Sequence, residues 1–96
     1  MEEWDSAIKN AVQALGTTFD THRVIQEIAH CNQRAYVEAL AKIDSDTPFQ
    51  QLHSALGRRI KVSCEQLGFT GQESRSPDMF AQNSKCIAWS RESLKP

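Results

Sequence analysis

The stretch from Thr47 to Gly68, TPFQQLHSALGRRIKVSCEQLG, constrains the fold of this chain more than any other. Thr47 is a residue type that caps helix N-termini. Pro48 suits the first helical position, and Gly68 suits the residue just past the end. Between them Phe49, Leu52, Leu56, Ile60, Cys64 and Leu67 recur at steps of three and four, which is one face of an α-helix. The opposite face carries Gln51, Ser54, Arg58, Lys61 and Glu65. Arg59 falls near the Leu52 edge of the stripe, where its aliphatic stem is expected to cover core while its head reaches water. Gly57 stands mid-pattern, where glycine costs about 1 kcal/mol relative to alanine. Close packing against another helix, or a break at Gly57, would explain it. The unbroken stripe through Ile60 and Leu67 predicts one helix.

The segments before it are also helical in pattern. A first helix is expected from about Glu2 to Leu15, with Trp4, Ile8, Ala11, Val12 and Leu15 on one stripe and a stop at Gly16. Glu2, Glu3 and Asp5 lie in its first turn, where carboxylates complement the macrodipole. Thr17 to Asp20 read as a connection, with Asp20 as the cap of a second helix and Phe19 positioned to staple onto Val24. That second helix carries Val24, Ile25 and Ile28 inward and stops near Cys31. Asn32 can cap a third, whose inward residues are expected to be Tyr36, Val37, Leu40 and Ile43; Ile25, Ile28, Tyr36, Ala39 and Ile43 would also lie along one longer, uninterrupted helix. Asp44 to Thr47 end it.

Beyond Gly68 the pattern changes. Phe69 to Glu73 and Lys85 to Arg91 read as two strands, and Ser74 to Ser84, with Pro77, Asn83 and several serines, as the loop between them. The expected plan is a single domain, mainly α with a small C-terminal β-hairpin. Residues 1–16 form an N-terminal amphipathic helix, 17–68 a helical core, and 69–92 the hairpin. From Asp20 to Arg91 this order of helices, a short turn before the last helix, and strand, loop and strand resembles the winged-helix arrangement. The resemblance rests on element order, and folds of that kind also serve as protein-docking modules.

Charge decides where a partner would bind. The formal net charge of −1 gives the whole molecule no pull on a polyanion, but the charge is unevenly spread. Met1 to Leu52 hold eight acidic residues and four Lys or Arg; His53 onward holds seven Lys or Arg and four acidic residues. An anionic partner should therefore meet the C-terminal half. Major-groove readout uses Arg on guanine, Gln on adenine and Ser on either. Gln51, Ser54, Arg58 and Lys61 supply those chemistries from one helix face. Arg75, near the tip of the wing loop, and Lys85 on the hairpin are the expected backbone or minor-groove contacts. The leading expectation is a small regulatory module that binds double-stranded DNA. Glu65 on the same face and Asp44 and Asp46 in the preceding turn oppose phosphate. They favour the alternative, a protein–protein interaction module in which Met79 and Phe80 form a patch.

Other classes find less support. Cys31, Cys64 and Cys86 are odd in number and widely spaced, which fits reduced thiols in a cytoplasmic protein. None has the two-residue spacing of a zinc grip, so no metal and no cofactor is expected. His53 and Ser54 are neighbours on a helix and point about 100° apart, so they cannot act as a nucleophile–base pair, and no enzymatic activity is expected. His53 falls on the apolar side as a core histidine. No basic leader and no membrane span is readable. Trp4 and Trp89 are assigned to the core or to a subunit interface; a two-fold homodimer is compatible with so small a chain.

Overall fold

The computed structural model of the 96-residue chain describes residues 2–92. A 3₁₀ turn at Glu2–Trp4 leads into α1 (Asp5–Leu15), followed by strand β1 (Thr18–Asp20), α2 (Thr21–Cys31), α3 (Gln33–Ala41), α4 (Pro48–Gln66), β2 (Thr70–Pro77) and β3 (Asn83–Ser90). The result is a mainly helical fold with a small antiparallel sheet. Among the described residues no helix is long and apolar enough to cross a membrane.

The helical stripes meet in one core. Ile8, Val12, Val24, Ile28, Leu56, Ile60 and Cys64 are almost wholly removed from water, and Trp89 joins them from the sheet. Trp4 and Trp89 are both buried within the single chain, which accounts for them without a subunit interface. Burial also pushes the Cys64 thiol up to about 11, so this sulfur is a core atom and not a reactive one. α4 runs unbroken through Gly57, where a Cβ would meet only the Thr21 methyl at 3.9 Å. Neither close helix packing nor a break explains this glycine.

Helix ends depart from expectation in their chemistry. Gly16 stops α1 and Gly68 follows α4, at φ of 90° and 88°, a region that favours glycine. Asp20 caps α2, its Oδ1 accepting the Arg23 N–H at 2.9 Å. Thr47 and Asn32 make no side-chain cap, however. Asn32 instead donates its Nδ2–H to the Ile28 carbonyl at 3.0 Å, satisfying a C-terminal acceptor of α2 and breaking the chain into two helices there.

Two inward assignments fail. Val37 is 61% exposed and Phe49 40%, while Tyr36 is buried and Leu40 and Ile43 are half-buried. α3 packs on α2 and α4 through Tyr36, Ala39 and Leu40, with Ile43 just past its end, which leaves Val37 on its outer side, and Phe49 in the first turn of α4 meets Phe80 instead of the core.

The largest correction is to the β structure. Thr17 to Asp20 are not merely a connection: Thr18–Asp20 pair with Ser90–Ala88, giving three strands in the order β1-β3-β2. The residues expected to form a loop from Ser74 to Ser84 largely continue the hairpin, which pairs from Thr70↔Ser90 out to Pro77↔Asn83. The turn is only residues 78–82. Asp78 builds it, its Oδ1 accepting the N–H groups of Phe80 at 2.9 Å and Gln82 at 3.1 Å. Those bonds, that to Phe80 first, hold the Asp78 carboxyl below its usual range. On the core side, Trp89 Nε1–H donates to Thr21 Oγ1 at 3.0 Å, and Phe19 packs on Phe69 with ring centroids 5.0 Å apart.

Candidate nucleic-acid interface

Helical period places Gln51, Ser54, Arg58 and Lys61 on the solvent side of α4, and all four are exposed. Gln51, Ser54 and Arg58 share one wall of a groove of about 1050 Å³ between α4, α3 and the N-terminal turn. Gln51 is held at its mouth, its Nε2–H donating to Ser45 Oγ at 2.8 Å. Lys61 lies one turn beyond Arg58, outside that groove. The facing wall carries Glu3, Glu38 and Lys42, so the groove is mixed in charge, with Arg58 the basic residue of its α4 lip.

Arg75 and Lys85 belong to the hairpin. Arg75 does not sit at a loop tip: it is in β2, directly opposite Lys85 in β3. Paired residues share a face of the ribbon, so the two cations stand side by side. Both are exposed. The six predicted residues therefore fall into two groups, one on α4 and one on the hairpin.

Which basic residues are free separates the two roles the sequence left mixed. Arg59 Nε–H and Nη2–H donate to the Asp5 carboxylate at 3.1 and 2.7 Å, a bidentate pair that ties α4 to α1. These bonds hold the Asp5 carboxyl below its usual range and raise Arg59. Arg91 donates to the Leu67 carbonyl at 2.9 Å and lies over the Phe69 ring at 4.6 Å. Arg59 and Arg91 thus act within the fold. Among the described residues, Arg58, Lys61, Arg75 and Lys85 are held in no salt bridge with an acidic side chain.

Where the hairpin turn meets the first turn of α4 there is an aromatic cluster that sequence alone did not assemble. Phe80 packs edge-on against Phe49 with centroids 4.9 Å apart, and both remain exposed. Behind them Tyr36 hydrogen-bonds His53 Nε2 and lies near Met79 Sδ at 3.4 Å. Met79 folds back onto the body, while Phe80 stays in water. Phe49 and Phe80 were legible only as a helix-face residue and a loop residue; their contact depends on where the hairpin ends.

No family model, curated protein or solved structure matches this chain.

Proposed function

We propose that this protein is a winged-helix-like module that binds double-stranded DNA in a regulatory role. In this reading α4 is the recognition helix and the β2–β3 hairpin is the wing. The β1-β3-β2 order supports it, because a short strand between the early helices adds to the edge of the C-terminal hairpin. The single observation that carries the reading is the set of four unpaired, exposed cations, Arg58, Lys61, Arg75 and Lys85, in a chain that uses its other arginines of that half internally. Gln51 and Ser54 beside Arg58 add base-reading chemistry.

The test is a titration of labelled random duplex DNA at low and moderate salt. Four phosphate contacts predict that log affinity falls against log salt with a slope of about −3 to −4. Absence of binding at low salt, or an affinity indifferent to salt, overturns the reading.

A second reading has its own observation. The exposed Phe49–Phe80 pair is an apolar contact surface on two different elements, which suits a protein-docking module. In that case Phe80→Ser abolishes partner binding and leaves DNA irrelevant.

A further inference from the structure

Where β1 and the start of α2 meet β3, three metal-ligating side chains converge. Asp20 closes β1, His22 lies in the first turn of α2, and Cys86 is in β3. One ligand atom from each lies within 4.8 Å of the others, and all three residues are half-buried. His22 is held from both ends: its Nδ1 is 2.9 Å from Ser76 Oγ, and its Nε2 is 3.3 Å from Ser84 Oγ. The Ser76 hydroxyl also lies 3.4 Å from Cys86 Sγ, so it spans the space between imidazole and thiol. Asp20 spends Oδ1 on the Arg23 N–H and keeps its second oxygen free of that bond.

Spacing along the chain gave no sign of this. The pairing of β1 with β3, and of β2 with β3, brings Cys86 beside the start of α2 and lays two serines around the imidazole.

We propose that Asp20, His22 and Cys86 form a zinc site. Zinc takes nitrogen from His, sulfur from Cys and oxygen from Asp, and this cluster offers one of each. A thiolate and a carboxylate together balance the dication, with a neutral imidazole as the third ligand. Sulfur and nitrogen donors disfavour magnesium and calcium, which prefer all-oxygen shells. Tetrahedral zinc, with bonds of about 2.0–2.3 Å, sets its donors roughly 3.3–3.8 Å apart, so the cluster must close by about 1 Å, within the reach of side-chain rotation. The fourth position is open to water or to the Ser76 hydroxyl. The ring nitrogen that does not meet the metal keeps a serine oxygen as acceptor of its N–H, the kind of outer contact that fixes an imidazole's orientation. Bound zinc cross-links the start of α2 to the middle of β3.

The experiment uses the full chain without an affinity tag, reduced, titrated with Zn²⁺ by calorimetry and with Co²⁺ by absorption. The expected result is one Zn²⁺ per chain, a raised thermal midpoint with zinc, and a thiolate-to-cobalt charge-transfer band in the near ultraviolet. Cys86→Ser, His22→Gln and Asp20→Asn should each weaken zinc by at least about tenfold, since even outer contacts are commonly worth that much. Cys31→Ser should bind as the parent chain does. Asparagine caps helices as well as aspartate, so Asp20→Asn keeps α2 intact, and circular dichroism checks the fold of all three. Failure to bind Zn²⁺, parental affinity in any of the three variants, or loss of binding in Cys31→Ser overturns the site.

Discussion

Two adjacent arginines in the middle of α4 have opposite roles. Arg59 is committed to Asp5 through two hydrogen bonds, whereas Arg58 reaches solvent with no acidic partner. If α4 reads DNA, Arg58→Ala should cost about 1–3 kcal/mol of specific binding and relax discrimination at one base position. Arg75→Ala should weaken all sequences alike and flatten the salt dependence, because a hairpin cation beside Lys85 meets phosphate. Both variants should fold with stability within about 0.5 kcal/mol of the parent, as measured by urea denaturation. An Arg58→Ala chain that binds DNA normally removes α4 from the interface. At the centre of the core, Leu56 is wholly buried, and Leu56→Ala should cost about 2–5 kcal/mol in the same measurement.

At the scale of elements, two glycines that look alike in sequence should respond in opposite ways to alanine. Gly57 lies inside α4 with room for a Cβ, 3.9 Å from the nearest methyl. Gly57→Ala should therefore stabilise by about 0.5–1 kcal/mol, the helix-interior cost of glycine. Gly71 in β2 faces Trp89, and a Cβ there would come within 2.8 Å of both Ile87 Cγ2 and Trp89 Cζ3. Trp89 is held by its bond to Thr21, so Gly71→Ala should destabilise by about 1–3 kcal/mol. Melting curves of the two variants moving in the same direction would show that the packing around one of them is misjudged. The same contrast explains what was legible in the chain. Helices announced themselves because their apolar residues repeat along one face, and the exposed α4 residues of the candidate interface could be read from that period. The strands could not. β1 is three residues with one apolar side chain, and β2, TGQESRSP, has no large apolar residue at all, so there was no alternation to follow. Its extent is set by its partner β3. For that reason the side-by-side Arg75–Lys85 pair was out of reach of sequence, as was the Arg59–Asp5 pair, whose members are 54 residues apart.

Across the whole molecule, the hairpin turn, α2, α3 and α4 come together at His53. Burial pushes its imidazole below the ordinary value; the nearby Asp78 carboxylate acts the other way, and His22 acts with burial. The unfolded chain therefore takes up this proton first, beginning near pH 6.5, and binds more protons than the folded chain until His53 titrates in the fold as well. Stability should fall as pH drops through that window. Urea denaturation at pH 7.5 and pH 5.5 measures the drop, and His53→Gln should reduce it. An undiminished drop in that variant would place the titrating group elsewhere. At lower pH the depressed carboxyls of Asp5 and Asp78 add to the loss as they protonate.

The bond from Trp89 to Thr21 joins residues 68 positions apart, and the β1–β3 pairing around it is as distant. This clasp ties folding to chain order. The hairpin can close locally in microseconds, and the helices can form as soon as they exist, but β1 has nothing to pair with until the last strand is present. The entropy of closing so large a loop comes due in a single late event, which slows folding beyond what a helical domain of this size would show. Until then Phe19 and the edge of the sheet wait uncovered, so a chain shortened before Ala88, which removes all three partners of β1, should tend to self-associate through that edge.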